Sequence, residues 1–180
     1  GVVLTTQIIS QAALLSGLDV KTNDVIGLSQ RGGTIWGSVK MGEKIHSPNI
    51  APGDADILIA FEKLESKRWK HMLKQKDSIA IINEYEIAPT LVQQGDKEYP
   101  EDVLDNMKQK SEVISLDATA TGAKMGNTAI ANILLLGIAA RYMDISVETW
   151  FKTFEQYLPA KFVELNKKAF MYGYEQEYLT

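Results

Sequence analysis

The 180-residue chain lacks cysteine altogether and contains only two histidines, His46 and His71. The absence of cysteine excludes a disulfide, a thiolate nucleophile and any cysteine-ligated zinc or iron–sulfur cluster within this chain. The two histidines are far apart in the sequence and have unlike neighbours, so they do not form a metal-ligand motif. If metal clusters carry electrons in this system, another chain must hold them.

A strong charge of one sign and a long apolar run are also missing. The 19 basic and 23 acidic residues give a net charge of −4, which offers no basic face to a nucleic acid. The longest apolar stretch, residues 130–140, is interrupted by Asn132 and is shorter than the roughly 20 residues of a bilayer span. We therefore expect no nucleic-acid partner, no membrane partner and, by default, a cytoplasmic protein.

Helical and extended patterns alternate over the first two thirds of the chain. Apolar residues follow helical spacing at residues 3–15, 64–74 and 100–110. Extended patterns are found at residues 19–22, 34–41, 56–61, 78–83 and 112–116. The alternation predicts an α/β fold, with a Rossmann-like, open and mostly parallel sheet between flanking helices. Residues 44–47 are predicted to pair with the strand at 34–41, across a turn at Gly42 and Glu43.

The last third of the chain is predicted to be helical, at residues 128–143, 147–157 and 160–174. The first of these segments is apolar on most of its circumference, so it needs cover from several sides. The aromatic residues of the other two segments are interpreted mainly as core. We expect a single domain over residues 1–180, with a sheet-forming part at about 1–117 and a helical part at about 118–180.

The chain enters its first helix directly after Gly1, although an open α/β domain is expected to begin with a strand. A first strand and a glycine-rich turn are therefore expected before Gly1. A tag remnant or a native start would also explain a single glycine.

A polar, glycine-rich loop lies between two extended segments and consists of Ser29, Gln30, Arg31, Gly32 and Gly33. The adjacent glycines allow backbone amides to converge, and the guanidinium and hydroxyl groups beside them can hold a phosphate or a carboxylate. A tight turn before the next strand explains the same glycines without any ligand.

Three further polar residues are candidates for a site or for helix capping. Glu62 follows a predicted buried strand, so it either faces the ligand crevice of the sheet or starts the next helix. Asn127 is predicted to cap the long apolar helix. Asn132 lies inside that helix and must bond across an interface or to buried backbone, because an unpaired buried amide is costly.

The loop at residues 29–33 begins an ordered series of short motifs that covers nearly the whole chain. The series continues with Gly42-Glu43, Ser47-Pro48, residues 53–62, Gly126-Asn127, Leu136-Gly137 and Ala169-Phe170. It resembles the gamma subunit, or gamma-equivalent domain, of pyruvate, 2-oxoisovalerate, 2-oxoglutarate and indolepyruvate ferredoxin oxidoreductases. The resemblance departs at the N-terminus, where the family opens with a strand and a Gly-Gly-Gln-Gly turn. Gly1 looks like the last glycine of that turn.

The resemblance implies CoA-dependent oxidative decarboxylation of a 2-oxoacid to an acyl-CoA. It implies that alpha, beta and delta-type partner subunits hold thiamine diphosphate, magnesium and iron–sulfur clusters, and that ferredoxin accepts the electrons. This chain is then expected to hold no metal and no catalytic residue and to be inactive when isolated. The nearly all-apolar helix and the aromatic C-terminal helices also predict that the isolated chain self-associates or exposes a large apolar patch. The expected CoA contacts are Ser29, Gln30, Arg31, Gly32, Gly33 and Glu62, because phosphates suit backbone amides and a guanidinium.

Two other functions stay open at this point. A stand-alone dinucleotide-binding oxidoreductase needs an acid near the end of its second strand, for which Asp19 and Asp24 are the candidates. A non-catalytic assembly module of the same fold is the other. Titration with NAD(H) and NADP(H) tests the first function, and the cofactors of co-purifying proteins test the second.

Overall fold

The computed structural model describes residues 1–25, 35–87 and 99–176. The strands are β1 (Asp19–Val25), β2 (Trp36–Gly42), β3 (Ile57–Ala60), β4 (Ile79–Asn83) and β5 (Glu112–Leu116). The helices are α1 (Val2–Leu15), α2 (Lys63–Trp69), α3 (Val103–Lys108), α4 (Ala118–Lys124), α5 (Ala131–Ala140), α6 (Val147–Tyr157) and α7 (Ala160–Glu175). Short 3₁₀ turns occupy Lys70–Met72 and Thr128–Ile130.

The three apolar runs in the middle of the chain form a parallel sheet in the order β3-β4-β5. The register aligns Ile57 with Ile79, and Ile79 with Glu112. All five residues of the central strand β4 are buried, and the first four of them are apolar, as is typical of a central parallel strand. The predicted α/β fold with flanking helices is confirmed. Because the strands are parallel, their carboxyl ends lie at one edge of the sheet.

Helix α1 buries an apolar face that includes Ile8 and Ala12, both fully inaccessible to solvent. It ends as predicted at Gly17, which adopts a φ of +83°. The Leu18 amide bonds back to the Ala13 carbonyl at 3.1 Å, which satisfies a carbonyl of the last helical turn. The helix packs against β1, β2 and α6.

The predicted pairing of residues 44–47 with the strand before them is wrong. Strand β2 pairs with β1 in an antiparallel ladder that aligns Val20 with Met41, and both side chains pack against the main core. Residues 44–47 are joined to β1 by a side chain instead, because the Ile45 amide donates to Asp19 Oδ2 at 2.8 Å. This hydrogen bond lowers the pKa of Asp19.

Helix α5 lies in the centre of the helical part. Nine of its ten residues are buried, so the predicted need for cover on several sides is confirmed. The helix is shorter than the predicted 128–143, because it begins after a 3₁₀ turn and ends at Ala140. Its closest neighbour is α7, whose backbone it meets at Gly137 and Gly173. No helix among the described residues is both long enough and apolar enough to cross a membrane.

Candidate functional site

A polar residue lies at or just beyond the carboxyl end of each parallel strand, and we call Glu62, Asn83 and Asp117 the strand-end cluster. Asn83 is the last residue of β4, whereas Glu62 and Asp117 follow β3 and β5. Ligands of open α/β sheets bind at this edge, beyond the carboxyl ends of the strands. The strand-end cluster therefore occupies the position at which folds of this class bind their ligands.

Asn83 connects all three strand ends although only 3% of its surface is exposed. Its side-chain nitrogen donates to Phe61 O at 3.2 Å and to Thr119 Oγ1 at 2.9 Å. Its side-chain oxygen accepts from the buried Ala118 amide at 3.0 Å and from the Tyr85 amide at 3.4 Å. Because four partners use its donors and its acceptor, Asn83 holds the strand ends together and has little hydrogen-bonding capacity left for a ligand.

Glu62 is the N-cap of α2, and its carboxylate Oε2 accepts from the Glu65 amide at 2.9 Å. Its other oxygen, Oε1, accepts from the Ile87 amide at 3.2 Å and from the Tyr99 hydroxyl at 2.7 Å. With only 9% of its surface exposed, Glu62 holds residues before and after the 88–98 segment against α2. The geometry gives Glu62 the capping role, and its contact with CoA stays a prediction.

Tyr99 is the hydroxyl partner of Glu62. Burial raises its pKa, and the hydrogen bond to the Glu62 carboxylate raises it further. The ammonium group of Lys63 lies 5.8 Å from the centre of the Tyr99 ring and bonds to Glu86 at 2.7 Å. Tyr99 therefore stays a protonated donor at neutral pH, which suits a structural hydrogen bond to Glu62 rather than proton transfer.

Asp117 completes the cluster as the N-cap of α4, where its carboxylate accepts from the Ala120 amide at 2.7 Å. This is the usual way in which an aspartate satisfies a free amide of the first helical turn.

The strand ends carry an excess of negative charge. The three residues that follow each strand bring four carboxylates, from Glu62, Glu84, Glu86 and Asp117, and one ammonium group, from Lys63. Such a surface repels phosphates and other anions. Within the described ranges no group of three histidine, aspartate or glutamate residues is arranged to hold a metal ion.

The other residues predicted for a site lie in different places. Ser29, Gln30, Arg31, Gly32 and Gly33 lie outside the described residues.

Asn127 caps the 3₁₀ turn before α5, where its side chain accepts from the Ala129 amide at 2.9 Å. Asn132 is half-buried, and its side-chain nitrogen lies 3.9 Å from the point that a Cβ on Gly1 would occupy. It therefore lies beside the start of α1.

Sequence reasoning missed Asn83 and Tyr99. One signal for Asn83 was available, since an amide at the end of a buried apolar strand needs partners. No local pattern marked Tyr99, because its partner Glu62 is distant in the sequence.

A second concave region lies at the opposite edge, where the three strands begin. It is a cleft of about 770 Å³, and its lining includes Asp56, Asp77, Lys108 and Tyr142. Asp77 adopts a left-handed φ of 56° at its rim. Charges of both signs are mixed along the lining, so the cleft fits no single class of ligand.

Comparisons with known proteins agree over almost the whole chain. The model of the pyruvate ferredoxin/flavodoxin oxidoreductase family matches residues 1–176. Indolepyruvate oxidoreductase subunit IorB of Archaeoglobus fulgidus is 32% identical, over 98% of this chain and 89% of that protein. The subunit of the same name from Thermococcus kodakarensis is 29% identical, over 96% of this chain and 88% of that protein.

Two solved structures share the fold. The gamma subunit of a keto/oxoacid ferredoxin oxidoreductase from Geobacter sulfurreducens superposes with a TM-score of 0.68 at 23% identity, over 96% of this chain and 88% of that one. The 2-oxoglutarate:ferredoxin oxidoreductase from Magnetococcus marinus, solved with 2-oxoglutarate, coenzyme A and succinyl-CoA bound, gives 0.69 at 18% identity. This second match covers 94% of the present chain and 27% of the longer one.

Proposed function

The chain belongs to the pyruvate ferredoxin/flavodoxin oxidoreductase family, and from this membership we propose that it assists CoA-dependent decarboxylation of a 2-oxoacid whose reacting cofactors lie in partner subunits. It is a gamma-type subunit of a multi-subunit 2-oxoacid:ferredoxin oxidoreductase. The observation that carries the proposal is the family match over residues 1–176 in a chain without cysteine. Such a chain cannot ligate an iron–sulfur cluster through thiolates.

The partners in this proposal are the subunits that hold thiamine diphosphate, magnesium and iron–sulfur clusters, with ferredoxin as the electron acceptor. The hydrogen bonds of Asn83 are in line with a structural rather than a catalytic role for the present chain. Its side chain is the central polar group at the strand ends, and it has little bonding capacity left for a reactant. Self-association of the isolated chain stays a prediction.

We propose indolepyruvate, or a related aromatic 2-oxoacid, as the substrate of the complex. The support is the naming of the relatives from Archaeoglobus fulgidus and Thermococcus kodakarensis, which align with at least 96% of this chain. The test is to purify the complex and compare kcat/KM for indolepyruvate, pyruvate and 2-oxoglutarate. A clear preference for a non-aromatic 2-oxoacid contradicts this assignment and leaves the subunit role intact.

The CoA contact is proposed for the loop of Ser29, Gln30, Arg31, Gly32 and Gly33. The acidity of the strand ends supports this choice, because CoA phosphates need a cation and free amides rather than carboxylates. Arg31 is the cation of the loop, so its removal gives the sharpest test.

We expect Arg31→Ala in the complete complex to raise the KM for CoA about tenfold or more, as the loss of a charge-assisted hydrogen bond implies. The KM for the 2-oxoacid is expected to stay unchanged. Arg68→Ala is the matched control, because this exposed arginine pairs with Glu65 on α2. Unchanged CoA kinetics in the Arg31 variant remove the loop from the CoA site.

The subunit role has its own test. The isolated chain is expected to show no 2-oxoacid:ferredoxin activity and no turnover with NAD(H) or NADP(H). Co-purifying proteins are expected to contain thiamine diphosphate and iron. Turnover of a nicotinamide cofactor by the isolated chain contradicts the proposal.

A further inference from the structure

Residues 84–87 follow the central strand β4 and are hydrogen-bonded to the chain on both sides. Three hydrogen bonds hold their backbone: Glu84 N to Leu116 O at 2.9 Å, Lys63 N to Tyr85 O at 3.1 Å, and Ile87 N to Glu62 Oε1 at 3.2 Å. The first bond comes from the end of β5, and the other two come from the start of α2. The position of the 84–87 segment is therefore set by both neighbouring strand ends.

The side chains of this segment divide by charge. Glu84 accepts from Ser115 Oγ at 2.7 Å, and Glu86 accepts from Lys63 Nζ at 2.7 Å. Tyr85 and Ile87 instead expose 45% and 57% of their surfaces. The segment thus exposes an aromatic and an aliphatic side chain that are separated by one residue.

A single exposed apolar residue is ordinary, but this pair has two unusual properties. Its backbone is already ordered, so a partner that covers it pays little entropy to fix the segment. The pair also alternates in the sequence with Glu84 and Glu86, and the Glu62 carboxylate accepts from the Ile87 amide. An apolar centre with a charged surround is the usual anatomy of a protein interface, in which tyrosine is among the favoured anchors.

We propose that Tyr85 and Ile87 anchor another subunit of the same oxidoreductase, which presents an apolar recess surrounded by basic residues. The inference rests on the chain's place in a multi-subunit complex and is independent of the CoA contact. The negative charge of the strand ends favours a basic partner over two other occupants. A second copy related by two-fold symmetry brings acidic strand ends face to face, and a nucleotide brings phosphates to the same carboxylates.

The first experiment measures assembly of the complete complex from this chain and its partner subunits by sedimentation velocity. We expect Ile87→Ser and Tyr85→Ser each to weaken assembly about tenfold, as the loss of an interface anchor implies. Both substitutions keep the backbone hydrogen bonds of the segment. The matched controls are Leu14→Ser and Tyr172→Ser, whose side chains are 51% and 41% exposed.

Assembly by the two variants with wild-type affinity overturns the inference. So does an equal loss in the controls, since it means that any exposed apolar residue matters. Circular dichroism of each variant, unchanged from wild type, shows that weaker assembly does not come from unfolding.

The second experiment identifies the occupant. A photoreactive amino acid at position 87 is expected to cross-link to another subunit of the complex, at a site rich in lysine or arginine. The double variant Glu84→Lys, Glu86→Lys is expected to slow association and to remove most of its dependence on salt. A cross-link to a second copy of this chain, or association with no response to charge reversal, overturns the inference.

The outcomes also separate this inference from the function proposed above. If the wild-type chain fails to assemble with thiamine-containing subunits, both fail. If it assembles and the anchor variants assemble equally well, only the docking surface is wrong.

Discussion

Helices α5 and α7 cross with backbone against backbone, whereas the ends of the three parallel strands are joined by the polar side chain of Asn83. A Cβ on Gly137 would lie 2.1 Å from Phe170 O, and a Cβ on Gly173 would lie 2.1 Å from Leu134 O. At the strand ends, Asn83 joins Phe61 to residues 118–119. The helix crossing thus has no space for an added atom, and the strand ends cannot lose a hydrogen-bonding group without cost.

The packing around the helix crossing is aromatic rather than polar. The Phe170 ring lies 5.7 Å from that of Trp150, 5.4 Å from that of Phe154 and 5.8 Å from that of Tyr174, measured between centroids. The Nε1 of Trp150 is buried without an acceptor among the described residues. Close packing stabilises the helical part despite this unpaired donor, whereas matched donors and acceptors stabilise the strand ends.

The largest effect is expected from Gly137→Ala. The new methyl group meets a backbone carbonyl, which cannot rotate away, so the helices must separate. We expect a loss of about 3 kcal/mol in the free energy of unfolding, at the upper end of the range for overpacked cores and despite the higher helix propensity of alanine. Urea unfolding followed by circular dichroism measures it.

Gly42→Ala is the control, because a Cβ there lies 3.4 Å from the end of the Ile45 side chain. We expect this variant to unfold within about 0.5 kcal/mol of wild type. If the two glycine variants lose equal stability, the close contact between the helices is not the reason why position 137 requires glycine.

An intermediate effect is expected from Asn83→Leu, which keeps the size of the side chain and removes its polar atoms. The buried Ala118 amide then loses its partner. We expect a loss of about 2 kcal/mol in the free energy of unfolding, since the buried Ala118 amide is left without a partner. Hydrogen exchange is expected to become faster at residues 84–87 and 118–119. Asn49→Leu, at an exposed asparagine, is the control. An equal loss of stability in this variant contradicts the role of Asn83 in holding the strand ends together.

Local patterns predicted most of the elements, because each signal lay within a short stretch of sequence. Gly17 marked the end of α1, and the apolar run at 78–83 marked β4. The predicted pairing of β2 was wrong because the turn at 42–43 favoured a local partner. Strand β2 instead pairs with β1, which places Val20 and Met41 side by side against the main core.

The site was less predictable than the fold. Capping by Asn127 follows from its position before a helical segment, so sequence was sufficient. The bonds of Asn83 reach residues 61 and 118–119, which only the parallel sheet brings together. Tyr99 meets Glu62 because it shortly precedes α3, which packs against α2. The contribution of Arg31 stays a prediction.

The smallest effect is expected from Tyr99→Phe, which removes the hydroxyl group that donates to Glu62. The loss of this hydrogen bond is expected to lower the free energy of unfolding by about 1 kcal/mol near pH 7. The tyrosine pKa is raised in the folded protein above its ordinary value of 10.0, so the folded chain retains this proton where the unfolded chain releases it. The stabilisation is therefore complete below about pH 9 and is lost as the pH rises beyond about 10.

The difference in unfolding free energy between wild type and Tyr99→Phe should consequently shrink between about pH 10 and pH 11, as followed by urea titration at each pH. Tyr172→Phe is the control, because Tyr172 has no hydroxyl partner within the described part of the chain and is 41% exposed. A difference that grows with pH would mean that the Glu62 carboxylate does not hold the Tyr99 proton. The contact between Tyr99 and Glu62 would then depend on packing of the ring alone. In that case the strand ends, like the helix crossing, would be stabilised by packing rather than by hydrogen bonds.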